Sequence, residues 1–256
     1  MAGEKEKVHS LDRALDLLLL FQQEGRELGV TQIAALLGMQ KSTVHRSLST
    51  LEAKGFVQQN QESGRYWLGL RLYSLGMMVR DKLPLAGLLA PYAKQLAQSY
   101  REAVHLSVLD RTAEQPRHIV IDKVESSQVL SLTPPVGSSE PCHCSAGGKC
   151  LLAFSSSDYL ARFEGVELQA FTPHTITSWE KLKEELAKIR RQGYSISDEE
   201  LEMGLTCIAT PILARGSEIV AALSMSGPTS RMKSESFLEM VEELKRITKQ
   251  ISNDLL

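Results

Sequence analysis

No stretch of this 256-residue sequence approaches the roughly 18 consecutive apolar residues of a membrane span. The longest apolar cluster, Leu17 to Phe21, is a short piece of an amphipathic helix. The opening residues, MAGEKEKVHS, lack the apolar core of a secretion signal. A cytoplasmic protein with no membrane partner is expected. Cysteine is scarce. Four thiols without a secretion signal point to reduced cysteines rather than a disulfide framework. Two catalytic signatures, Gly-x-Ser-x-Gly and His-Glu-x-x-His, are missing, and Gly147-Gly148-Lys149 lacks the spacing of a P-loop. Neither an enzyme nor a bound cofactor is expected. There is no internal repeat and no excess charge of either sign, with 29 Lys and Arg against 31 Asp and Glu.

What is present begins with TQIAALLGMQKSTVHRSLSTLEAKGFV, residues 31–57. Thr31 is a candidate N-cap for a short helix with Ile33, Ala34, Leu36 and Leu37 on its apolar face, ended by Gly38. A second helix runs from about Lys41 to Lys54. Val44, Leu48 and Leu51 form its apolar stripe. Its other face is Lys41, Ser42, Thr43, His45, Arg46, Ser49 and Thr50, with no carboxylate until Glu52. Short donors and cations on one face suit the major groove of DNA, where base edges are read by hydrogen bonds and phosphates attract Lys and Arg. An ordinary two-helix hairpin with a solvated face is the plainer alternative. The helix pair, the glycine placement and the acid-free face together favour DNA. Thr31 and Gln32 complete the candidate contacts. The local charge agrees: residues 28–80 hold six cations (Lys41, Arg46, Lys54, Arg65, Arg71, Arg80) against Glu52 and Glu62.

A helix from Ser10 to about Gly25 precedes this pair, and two short strands, Phe56-Val57 and Arg65 to Leu68, follow it around Gly64. Three helices and a hairpin describe a winged helix-turn-helix, with Arg65 placed for the sugar-phosphate backbone or simply exposed. Leu70 to Arg80 reads as a linking helix. Pro84 and Pro91 punctuate the next stretch, each able to start a helix. The domain boundaries expected are 8–69, 70–82 and 83–256.

From Ala103 the periodicity becomes that of strands: Ala103–Leu109, His118–Val124, Val129–Leu132, Tyr194–Ser197, Cys207–Leu213 and Ile219–Ser226, the last two forming a hairpin around Arg215-Gly216. Residues 134–141 read as a loop. Helices are expected at 145–154, 157–163, 178–192 and 234–255. The fold class is α+β with a central antiparallel sheet.

Two segments of the second half carry chemistry. Cys142-His143-Cys144-Ser145-Ala146-Gly147-Gly148-Lys149-Cys150 opens a helix with small residues whose free N–H groups suit a carboxylate. In Ser224-Met225-Ser226 the two hydroxyls share one strand face while Met225 points away. Together they describe a pocket for a small oxygen-rich acid; a helix cap and a solvated strand face are the alternative. The cluster Cys142, His143, Cys144, Cys150 and Cys207 admits a structural zinc, a thiol sensor or nucleophile, or plain buried thiols. Its Cys-x-Cys-x5-Cys spacing is not a usual finger pattern. The acidic run 198–202 is either a divalent-cation site or a solvated loop.

Three N-terminal segments, SLDRALDLLLLF, TQIAALLGMQKSTVHRSLSTLEAKGFV and GRYWLGLRLYSLG, resemble the IclR-type bacterial transcriptional regulators. So do PCHCSAGGKCLLA, GYSISDEELEMGLTCIATPIL and VAALSMSGPTSR. The resemblance covers nearly the whole chain. It implies a winged helix-turn-helix joined by a linker helix, carrying dimer contacts, to a GAF-like effector domain. It also implies a homodimer or homotetramer on palindromic double-stranded operator DNA, with repression the commoner outcome. The effector it implies is a small organic acid, either a 2-oxo acid such as glyoxylate or pyruvate or an aromatic acid. The acid would lie against Ser145, Ala146 and Gly147 and meet Cys207 and the Ser224-Met225-Ser226 strand. Two departures stand out. Ser197 occupies a position where the family commonly has an acid, with Asp198 beside it. Cys144 and Cys150 add thiols to the turn.

Overall fold

The computed structural model describes residues 8–82, 84–128, 133–214 and 218–254. The chain divides into two compact units, before and after Pro84.

The first unit runs α1 (His9–Glu24), α2 (Val30–Leu36), α3 (Lys41–Ala53), β1 (Val57–Gln59), β2 (Tyr66–Leu68) and α4 (Leu70–Arg80). Leu17, Phe21, Ile33, Val44, Leu48 and Val57, one apolar stripe per element, meet in a dry core. Phe21 and Trp67 close it edge to face, with ring centroids 5.8 Å apart. β1 and β2 form the antiparallel wing. Gly69 lies so close to the Gly55 carbonyl that a Cβ would stand 2.3 Å from its oxygen, so only glycine lets the wing return to α3. One expectation is corrected here. The N-cap of α2 is Gly29, not Thr31, and the Gln32 side-chain oxygen accepts from the Gly29 N–H at 3.1 Å.

The second unit runs α5 (Pro84–Tyr100), β3 (Ala103–Asp110), β4 (Arg117–Val124), β5 (Ser139–Pro141), α6 (Ala146–Ala153), α7 (Ser157–Ala161) and α8 (Trp179–Gln192), then β6 (Ser195–Asp198), β7 (Leu205–Leu213), β8 (Ile219–Pro228), α9 (Thr229–Met232) and α10 (Phe237–Asp254). Six strands form one antiparallel sheet, in the order β5-β4-β3-β8-β7-β6. The fold is α+β, as expected. Strand alternation divides the side chains between two faces. Leu106, Ile208, Leu223 and Met225 pack with α5 and α10 on one face. Ala209 and Ala222 pack with α6 on the other.

Pro91 does not restart a helix: it sits inside a continuous α5. Residues 134–141 are not wholly loop, because Ser139–Pro141 add the edge strand β5. The expected strand at 129–132 and the Arg215-Gly216 turn lie outside the described residues.

Candidate functional site

α3 exposes Lys41, Ser42, His45, Arg46 and Ser49, while Val44 and Leu48 are fully buried. Thr43 is half-buried. Thr31 is exposed, and Arg65 is exposed just before β2. The exposed Thr50 hydroxyl donates its one proton to the Arg46 carbonyl at 2.9 Å. What α3 offers is therefore a convex polar surface with two cations, backed by a packed core that fixes its orientation.

The second unit contains a cavity of about 310 Å³. Its floor is a row of side chains set by strand register: Ser197 on β6 faces Cys207 on β7, which faces Ser226 on β8, and Ser224 on β8 faces His105 on β3. Its wall is the start of α6. Ser145 caps that helix, its Oγ accepting from the Gly148 N–H at 3.2 Å. The first bond along the helix runs from Lys149 N to the Ser145 carbonyl, 2.9 Å. The amides of Ala146 and Gly147 precede it and are left for another acceptor. The position of Gly148 allows no side chain: a Cβ would lie 2.3 Å from Cys142 Cα. Packing against the Cys142 backbone thus requires one glycine of the run.

Histidines complete the lining. His118 Nε2 is 2.8 Å from Ser145 Oγ. Burial pushes the His105 imidazole down to about 4 and that of His118 to about 3. The 3.6 Å approach of Glu140 to His118 is therefore not an ion pair at neutral pH, since the ring stays uncharged. Burial also raises the Glu140 carboxyl, against the opposing pull of Arg117. Among the described residues no Lys or Arg lines the cavity.

The sequence matches the family description "IclR helix-turn-helix domain" over residues 10–61 and "Bacterial transcriptional regulator IclR C-terminal" over residues 77–253. The chain belongs to the IclR family. It is 33% identical to the HTH-type transcriptional regulator XynR of Escherichia coli, over 97% of each protein. To the acetate operon repressor of Salmonella typhimurium it is also 33% identical, over 96% of this chain and 89% of that protein. The crystal structure of an IclR homologue from Microbacterium hydrocarbonoxydans, complexed with 4-hydroxybenzoate, superposes with a TM-score of 0.81 at 25% identity. The match covers 96% of this chain and 98% of that one. This is a helix-turn-helix, DNA-binding transcriptional regulator.

Against the IclR pattern, the expected pocket residues divide. Ser145, Ala146, Gly147, Ser197, Cys207, Ser224 and Ser226 line the one cavity. Asp198 and Met225 do not. Asp198 is one residue out of phase with Ser197, pairs with Lys233 at 2.6 Å and so cannot stand in for the family's acid. Met225 is buried in the opposite-face core. The acidic run is no solvated loop either, because Glu200 is 8% exposed and pairs with the buried Lys149. The thiols of the turn and of β7 are held in the protonated form by burial. Burial pushes Cys144 and Cys207 up to about 12 and raises Cys142 and Cys150 as well. Among the described residues no three His, Cys, Asp or Glu side chains are grouped to hold a metal. His105, Ser107, His118 and Glu140 were not anticipated. Lone residues on three different strands meet only through the sheet register, and no local spacing marks them.

Proposed function

We propose that this chain is a ligand-responsive repressor, acting as a homodimer or a dimer of dimers on palindromic operator DNA, whose effector is a small organic acid. The observation that carries the reading is the cavity into which the start of α6 opens, with a row of serine hydroxyls on its floor. The Ala146 and Gly147 amides and the helix dipole attract a carboxylate. Ser197, Cys207, Ser224 and Ser226 border the remainder of the ligand. A 2-oxo acid such as glyoxylate or pyruvate, or an aromatic acid, fits this description. The bound 4-hydroxybenzoate of the Microbacterium homologue supports an acid in this family. On the DNA side, Lys41, Ser42, Thr43, His45, Arg46 and Ser49 enter the major groove and Arg65 meets a phosphate. Thr31 and Gln32 flank them at the start of α2. The repressor named among the relatives supports the sign of the response.

Dimerisation is supported by apolar side chains left outside the core. On α4, Leu70, Tyr73, Met78 and Val79 are all exposed. On α1, Leu11, Leu15 and Leu19 fall at i, i+4 and i+8 and are each at least half exposed. The acid then acts by favouring one arrangement of the two DNA-binding units over another, by as much as its affinity for the two differs. Thermal shift of the full-length protein with a panel of small acids tests the reading, because a ligand bound to the native state raises the melting temperature. Operator binding measured with and without the acid that shifts most completes the test. A panel in which no acid shifts melting and none alters DNA binding overturns the effector proposal.

A further inference from the structure

The wing of the first unit is held by a residue that lies outside it. The Asn60 side-chain oxygen accepts from the Glu62 and Ser63 amides at 3.0 and 3.2 Å, which closes the turn between β1 and β2. With that oxygen used, the Asn60 side-chain nitrogen points the other way. It donates to the Glu27 carboxylate, 3.0 and 3.3 Å from the two oxygens. Ser63 Oγ gives its one proton to the same carboxylate at 3.1 Å and accepts from the Arg65 amide at 3.3 Å. One residue further on, the Leu28 and Tyr66 backbones pair with each other at 3.0 and 2.9 Å. Glu27 and Leu28, consecutive in the segment between α1 and α2, therefore grip the wing at its turn and at its base. Arg65 lies between the two grips. Its carbonyl accepts from the Asn60 amide at 2.8 Å, and its side chain is exposed.

A carboxylate on a wing that meets phosphate opposes DNA by its charge, and Glu62 at the turn adds a second. What Glu27 supplies is geometry. A turn without a tie to the helices has to be ordered when DNA binds, and that ordering lowers affinity. Hydrogen bonds to an ionised acceptor are the stronger kind, and two side chains of the turn converge on this one. We propose that Glu27 is a positioning residue for DNA binding: through Asn60 and Ser63 it holds the wing turn so that Arg65 meets a phosphate at a set distance from α3. This rests on the reading of Arg65 as a phosphate contact and adds what presents it.

The test is binding by the full-length protein, across a salt series, to a duplex that the wild type selects from a random-sequence library. Asn60→Asp keeps the oxygen that closes the turn but sets a carboxylate against Glu27. It is expected to weaken binding by at least about threefold, within the range of one net hydrogen bond. Asn60→Asp combined with Glu27→Gln again faces a donor with an acceptor, at the wild-type net charge, and is expected to return to within about twofold of wild type. Arg65→Ala separates positioning from a merely structural contact. Alone it is expected to weaken binding severalfold and to lower the log–log salt slope by about 1. In the Asn60→Asp background, where the arginine is already misplaced, it is expected to cost less than about twofold more. Ser63→Ala removes the other donor without adding charge and is expected to blunt the Arg65→Ala effect in the same way, so the result does not depend on one variant. A full Arg65→Ala effect in both backgrounds, or a paired variant as weak as Asn60→Asp alone, overturns the positioning role and leaves the Arg65 contact standing. Wild-type binding by Arg65→Ala overturns both.

Discussion

Lys149, 1% exposed within α6, is paired with Glu200 from the β6–β7 turn, and no solvent separates them. Glu199 takes a left-handed backbone conformation at φ 57°, which aims the next side chain inward. Thr172 and Thr175 donate to the Glu199 and Glu200 carbonyls, each at 2.6 Å. The pair thus fastens the turn that supplies Leu201 and Glu202 to the cavity onto the helix that supplies its amides. Glu185 lies 3.9 Å from the same Lys149 amine and is left as its weaker partner, so Glu200→Ala is expected to destabilise the second unit by about 1–3 kcal/mol. Of the two tryptophans, Trp67 lies in the first unit and Trp179 in the second. Urea unfolding followed by fluorescence in a Trp67→Phe background isolates the second. A loss under about 1 kcal/mol would show that the pair does not hold the turn.

Arg46 is exposed on α3, clear of the core that holds the helix. Arg46→Ala is expected to weaken operator binding severalfold, to leave melting unchanged, and, where the arginine meets phosphate, to lower the log–log salt slope by about 1. Filter binding across a salt series measures both. Wild-type affinity in this variant would remove α3 as the reading helix.

The two buried histidines make the second unit sensitive to acid. Each folded pKa is lowered, from 6.5 to about 4 for His105 and about 3 for His118, burial being the main cause in both. Below pH 6.5 the unfolded chain therefore binds protons that the native state refuses, and stability falls with falling pH until the folded values are passed. Each histidine contributes a slope of about 1.4 kcal/mol per pH unit within that window. Glu140 and Glu200, whose pKa values burial raises, act in the opposite sense just above pH 4.5. His118→Gln is expected to remove one histidine's share of the slope between pH 5 and 6. An unchanged slope would mean that His118 titrates normally in the folded protein.

The exposed apolar residues of α4 lead to a prediction about assembly. Tyr73→Glu with Met78→Glu is expected to lower the sedimentation mass at micromolar concentration and weaken operator binding in parallel, because a palindrome is held by two half-sites. The melting of the second unit should not change, since neither side chain enters its core. A double variant that sediments as wild type would place the dimer contact elsewhere.

The thiols provide a control for the sensor alternative. With all four cysteines free and their pKa values raised, alkylation of the native protein at neutral pH is expected to be slow, and Cys144→Ser should leave DNA binding within about twofold of wild type. Rapid loss of DNA binding on stoichiometric alkylation would revive the thiol reading.

The sequence by itself determined the elements and their faces. Periods of 3.6 and 2, glycines at 25, 38 and 193, and Ser145 before a helix are local signals, and each describes a segment that formed where it was expected. Those signals also located α3 with its polar face outward, and the Ser-x-Ser alternation sent Met225 away from the hydroxyls. Tertiary structure decided what no spacing encodes. Antiparallel register put Ser197, Cys207 and Ser226 in one row, and brought His105 and His118 from neighbouring strands to the same cavity. A left-handed Glu199 turned Glu200 out of an apparently solvated acidic run and onto Lys149, and a single step of strand phase removed Asp198 from the site. Contacts between distant segments depend on which strands become neighbours. That is settled by burying the whole sheet between its helices, not by any residue's own preference.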